Sequence, residues 1–152
     1  MSCVSDADLI RSLGVIRPDT WIALLRPIAP ALSLIGDLLP RVNLAVYPCE
    51  SAILDTMGQG WVAVGDAAAS FDPLAAMGVL HAIRTGRSAS GAIASYLQGK
   101  DGELVDFARV ERSMFAAYLR ARQRQYGLER RFPEHAFWAR RAQSVINLAS
   151  AN

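Results

Sequence analysis

Gly65, Asp66, Asp72, Pro73 and Gly78 carry the residue types in this chain best suited to gripping a ligand. The apolar run Trp61-Val62-Ala63-Val64 leads directly into Gly65-Asp66. It reads as a strand that ends in a residue with no side chain to block a flat molecule, next to a carboxylate able to accept hydrogen bonds from hydroxyl groups. Asp72-Pro73 is a helix-opening pair. Aspartate accepts from free amides of the first turn, and proline at the first helical position loses an amide that would have no partner. The amide end of a helix also suits an electron-rich group. Gly78 follows five residues after Pro73, where the backbone can approach a ligand closely.

Hydrophobic spacing gives the elements that hold these residues. Trp61 to Val64 is expected to be a buried strand, entered through the turn Gly58-Gln59-Gly60, with Ser51 to Leu54 extending the pairing. Val42 to Tyr47 reads as another strand, closed by Pro48. A helix is expected from Asp72 to about Leu97, with Leu74, Leu80, Ile83 and Ile93 as its bulky positions. Gly78, Ala82, Gly86, Ala89 and Gly91 are small, which implies that other backbone or a ligand comes close. After Gly99 to Gly102, the residues Leu104, Phe107, Val110, Met114 and Tyr118 recur at helical spacing to about Tyr126. A last segment starts at Pro133. Before the strands, Ser5-Asp6-Ala7-Asp8 resembles a capping box for a short helix stopped at Gly14. A second short helix near Asp19 carries Trp21, Ile22, Leu24 and Leu25 and is broken by Pro27 and Pro30. Ala31 to Leu39 adds a further helical piece.

The order Gly65-Asp66-Ala67-Ala68, then Asp72-Pro73, then Gly78 resembles the second FAD-contacting motif of flavin-dependent monooxygenases and halogenases. The resemblance implies an α/β fold: the C-terminal portion of a Rossmann-like FAD-binding flavoprotein with a helical C-terminal region. Residues 1–60 would end a substrate domain, 61–98 would form the strand-loop-helix against the flavin, and 99–152 a helical arm. It further implies that Asp66 contacts the ribityl and phosphate region, that the Asp72-Pro73 loop lies along the isoalloxazine, and that Gly65 and Gly78 share the cofactor role. The family's opening Gly-x-Gly-x-x-Gly loop is absent, so the pyrophosphate cradle would belong to another half. Where family members often carry Ser, Gly or Gln before the final glycine, this chain has Ala75-Ala76-Met77, which bears on how the segment meets the ring. Ser5 to Leu9, Tyr126 to Pro133 and Phe137 to Arg141 look like halogenase-type flavoproteins, some of which accompany amine or amino-acid oxidases with a cofactor built from protein side chains. The implied parent reaction is hydroxylation or halogenation of an aromatic or peptide-borne substrate. No catalytic acid or base is identified: the lysine used by halogenase-like members lies in the other half, and Lys100 does not match it.

Bulk properties agree with a globular domain. The chain has 152 residues, 52% hydrophobic and 20% charged, and no apolar run approaches the roughly 18 residues of a membrane span. Ser2-Cys3-Val4-Ser5-Asp6 after Met1 lacks the basic start and apolar stretch of a signal peptide. Cys3 and Cys49 form no disulfide framework, and no Cys or His has metal-ligand spacing, so a cytoplasmic protein without a metal is expected. Cys49 has no basic neighbour to activate it. Gly86-Arg87-Ser88-Ala89-Ser90 approaches a nucleophile elbow but lacks the closing glycine and falls within a helix. His81 reads as a packing or surface residue, and His135 stands alone.

The net charge of +2 hides a segregation: from Arg109 onward there are nine arginines against three acids. Solvated or packed helix faces explain this most simply. Stacking of nucleic acid on the interleaved aromatics is disfavoured because no recognised motif accompanies them. Two functions remain open. One is a partial FAD-dependent oxidoreductase, inactive alone, that needs the N-terminal half or self-association, with a protein substrate in view. The other is a non-catalytic split subunit that docks a partner through its arginine-rich helix.

Overall fold

The computed structural model describes residues 3–25, 27, 44–47 and 49–149. The expected helix Ala31–Leu39, the residues Val42 and Asn43, and Pro48 and Pro30 lie outside them. The chain divides into two compact units, Met1–Pro48 and Cys49–Asn152.

The first unit contains α1 (Ala7–Leu13) and α2 (Pro18–Leu25). Gly14 ends α1 in the left-handed conformation with φ 61°, and its amide bonds back to the Arg11 carbonyl. The start departs from a capping box: the cap position is Asp6 rather than Ser5, and its side chain makes no capping bond. Residues 44–47 lie outside helices and strands.

The second unit is mainly helical. Its strands are two residues each: β1 (Ala52–Ile53), β2 (Met57–Gly58), β3 (Trp61–Val62) and β4 (Ala69–Ser70). β1 pairs with β4 and β2 with β3, both antiparallel, with Ala52 opposite Ser70 and Met57 opposite Val62. The buried strand expected at Trp61–Val64 is therefore one side of a tight hairpin. Trp61 is 51% exposed, and among the described residues no strand beyond β2 joins this pair. Three helices complete the unit: α3 (Gly78–Leu97), α4 (Gly102–Leu128) and α5 (Ala136–Ala149). Few strands beside long helices are compatible with part of an α/β flavoprotein. The parallel sheet of a whole dinucleotide-binding domain is not among the described residues.

α3 and α4 form an antiparallel hairpin that turns at Gly99, and the small residues expected on α3 find their explanation there. Ala89 and Ala92 face Leu104 and Phe107 in one core cluster, with Met57 and Val62 against it. Alanine on one helix admits leucine and phenylalanine from the other at close range. Gly86 and Gly91 differ, since a Cβ on either would meet nothing within 4 Å.

Burial shifts the expected faces of both helices. α3 buries His81, Thr85, Ala89 and Ala92, while Leu80 and Ile83 stay 57% and 65% exposed. α4 buries Leu104, Phe107, Glu111, Phe115 and Tyr118, with Val110 left outside. Periodicity located both helices; polar residues inside the stripe concealed their true faces.

Candidate functional site

The site residues are strung along the connection from β3 to α3. Instead of one continuous helix from Asp72, the chain makes a 3₁₀ turn at Gly65–Ala67, strand β4, a second 3₁₀ turn at Pro73–Ala75, and only then α3. Ala76 separates the second turn from α3 because it adopts φ 50°, left-handed for a residue with a Cβ.

Gly65 serves the scaffold. Its φ is +57°, and a Cβ there would stand 3.1 Å from the Cβ of Ala82. Its amide donates to Thr85 Oγ1 at 2.9 Å, and that hydroxyl donates to the His81 carbonyl at 2.8 Å. The strand end is thus pressed onto α3 and held by a buried threonine.

Asp66 and Gly78 form an open pair. Asp66 is exposed, and among the described residues nothing donates to its carboxylate. A Cβ on Gly78 would meet Asp66 Oδ1 at 3.8 Å, so among the described residues no contact calls for glycine there. The first α3 amide bonded within the helix is that of His81, to the Met77 carbonyl at 2.8 Å. The amides of Gly78, Val79 and Leu80 precede it and remain available. A hydroxyl-bearing, electron-rich ligand therefore fits: hydroxyls to Asp66, negative charge to the helix start. A side chain at Gly78 would fill this cradle.

Asp72 faces the other way, into the protein. It caps as expected, taking the Leu74 amide on Oδ1 at 3.0 Å. Its Oδ2 accepts from the Tyr126 hydroxyl at 2.5 Å and lies 3.5 Å from Arg122 Nε. The Asp72 amide donates to the Tyr118 hydroxyl at 2.7 Å, which is also 2.8 Å from Ser51 Oγ. Two tyrosines of α4 thus pin the Asp72–Pro73 loop. Burial, then the hydrogen bond to the Asp72 carboxylate, pushes Tyr126 up to about 12, partly opposed by Arg141. The Asp72 carboxylate is a fastener inside the unit, and Pro73 beside it is exposed.

His81 and Glu111 were legible only in part. His81 packs, as expected, edge-on to Phe71 with ring centroids 4.7 Å apart. Its Nε2 lies 3.8 Å from Glu111 Oε2, both side chains are at most 5% exposed, and neither atom has a hydrogen-bond partner. Tyr118, Tyr126 and Arg122 escaped sequence reasoning because their partner, Asp72, lies some fifty positions away. Glu111 carried a visible signal: an acid at core spacing between Phe107 and Phe115.

The C-terminal arginines are largely engaged within the unit. Arg112 pairs with Asp55 at 3.6 Å and Arg109 with Asp106 at 2.7 Å. Arg141 stacks 3.5 Å above Phe137 and 5.2 Å from Tyr126. Arg131 chelates Glu129, and those hydrogen bonds lower the carboxyl to about 2. Cys3 and Cys49 are both exposed and outside any disulfide. Among the described residues, no three His, Cys, Asp or Glu groups could hold a metal, and no helix is long and apolar enough to cross a membrane.

No family model matches the chain, and no solved structure matches it. Among curated proteins it is 29% identical over 156 residues to one from Marinomonas mediterranea named "Putative FAD-dependent oxidoreductase LodB". The match takes in 99% of this chain and 41% of the relative. The chain thus spans about two fifths of that protein's length.

Proposed function

We propose that this chain supplies part of the FAD site of a flavin-dependent oxidoreductase of monooxygenase or halogenase type. The observation that carries the reading is the exposed, unspent Asp66 carboxylate beside Gly78 and the free amides that open α3. Asp66 holds cofactor hydroxyls, Gly78 allows close approach, and the Gly78–Leu80 amides favour the electron-rich edge of the ring. Gly65 sets the angle of the strand end, while Asp72 and Pro73 fix the loop through Tyr118 and Tyr126. When bound, FAD supplies two-electron redox chemistry and, once reduced, reaction with dioxygen; the protein supplies placement and electrostatics.

The remainder of the site belongs to polypeptide beyond these residues. Val79, Leu80, Ile83 and Leu97 form an apolar exposed stripe on α3, with Val79 77% and Leu97 79% exposed. Apolar residues exposed on the side of α3 turned away from α4 suit a covered face, and we assign a further segment of a flavoprotein to it.

The test is FAD titration, followed by flavin fluorescence, of the chain alone and mixed with the portion of the Marinomonas relative outside the match. The mixture should retain FAD where the chain alone does not. Asp66→Ala should weaken retention by about 1–3 kcal/mol, the cost of hydrogen bonds lost to a charged acceptor. Equal affinity with and without Asp66 would refute the assignment.

A further inference from the structure

A cavity of about 440 Å³ lies in the second unit between the Asp72 loop and the far end of α4, closed on one side by Trp138 of α5. Its size is within the range of about 300–1,000 Å³ typical of small-molecule pockets. Asp72 and Met77 of the site connection line it, whereas Asp66 and Gly78, the two residues proposed to touch the flavin, do not.

The wall is almost wholly apolar: Leu74, Met77, Ala121 and Trp138 face the space. The polar groups decide what kind of ligand suits it. Both acids at the wall are already satisfied. Asp72 accepts from the Leu74 amide and the Tyr126 hydroxyl, and both oxygens of Glu129 are taken by Arg131. Arg122 is the opposite case. Its Nε lies 3.5 Å from Asp72 Oδ2 and its guanidinium carbon 5.8 Å from the Tyr126 ring centre, and among the described residues no acceptor is hydrogen-bonded to its Nη atoms. A guanidinium carries five N–H donors, so four remain in a fork that matches a carboxylate. The cavity therefore offers an apolar chamber with unspent donors and no unspent carboxylate.

We infer that this cavity binds a small apolar acid, its carboxylate on the Arg122 Nη fork and its body between Met77, Ala121 and Trp138. An amine would meet the guanidinium with like charge. A neutral alcohol would keep the apolar contacts and lose the charge-assisted pair.

The experiment is calorimetric titration of the full chain at neutral pH with 4-phenylbutyrate, 4-phenylbutanol and 4-phenylbutylamine, which differ only in the head group. The acid should bind one-to-one, about tenfold or more tighter than the alcohol, with the amine weakest. Arg122→Gln should bring the acid down to the alcohol, and Arg122→Lys should restore part of the difference. Ala121→Phe should fill the chamber and abolish binding of both while circular dichroism stays unchanged. The inference is overturned if the acid binds no tighter than the alcohol, if the amine binds best, if no probe binds at millimolar concentration, or if Ala121→Phe leaves binding intact. The head-group series needs no variant, so a poorly folding Arg122 mutant leaves the test decisive.

Discussion

Removing the Tyr126 hydroxyl should loosen the whole site loop, and the cost should depend on pH in a specific way. In Tyr126→Phe the ring stays in its packing with Phe137 and Trp138, while Asp72 Oδ2 loses its 2.5 Å donor and keeps only Arg122 at 3.5 Å. A hydrogen bond to a charged group is worth about 1.5–3 kcal/mol, so the variant should be roughly 2 kcal/mol less stable near pH 8. The raised tyrosine, from 10.0 to about 12, sets the pH window. A group whose folded pKa is raised keeps its proton longer when folded. The stability it contributes is therefore complete below pH 10 and is lost as pH climbs toward 12. Converted in full, the rise corresponds to about 2–3 kcal/mol over that interval. Solvent screening on the cavity side brings that nearer to about 1–2 kcal/mol. Tyr126→Phe has no such proton to lose, so the two stability curves should converge between pH 10 and 12. Urea unfolding followed by circular dichroism, from pH 8 to 11.5, measures the gap. A gap that stays constant over that range, or a variant as stable as the parent at pH 8, would refute the account of the Asp72–Tyr126 bond.

The packing sets three further outcomes. Ala89→Leu should cost about 1–3 kcal/mol in urea unfolding, because Ala89 is 2% exposed against Leu104 and Phe107. Gly86→Ala meets open space within the helix and should stabilise the isolated chain by about 0.5–1 kcal/mol; a loss instead would mean that α3 is more tightly enclosed than described. Glu111→Leu should destabilise by about 1–3 kcal/mol by removing the acid that lies 3.8 Å from an already unpartnered, buried His81 Nε2, and adding His81→Leu should recover much of that loss. A double variant worse than the sum of the singles would contradict a coupled His81–Glu111 pair.

Local chemistry carried the sequence reading a long way. Gly14 as a helix stop, the α4 run ending near Tyr126, the Gly99 turn and the capping role of Asp72 are all short-range effects, fixed by backbone conformation or by hydrogen bonds a few residues away. What escaped notice depends on contacts between distant segments. The outward face of α3 was concealed because its buried row, His81 and Thr85 ahead of two alanines, is polar where a core is expected to be greasy. Thr85 is inside because it fastens Gly65; Glu111 is inside because it meets His81. The inward turn of Asp72 depends on Tyr118 and Tyr126, some fifty residues later, and nothing near Asp72 announces them. Trp61–Val64 looked like a central strand because it is apolar on every side. Among the described residues no strand beyond β2 joins it, and two separate antiparallel pairs form in place of one sheet.

Hydrogen exchange read at the start of α3 tests the central claim most directly. With the chain combined with the portion of the Marinomonas relative outside the match, FAD should slow exchange of the amides of Gly78, Val79 and Leu80, which have no backbone acceptor among the described residues. The protection should disappear with Asp66→Ala. FAD held tightly while those three amides exchange as freely as before would contradict the assignment of Asp66 and Gly78 to the cofactor.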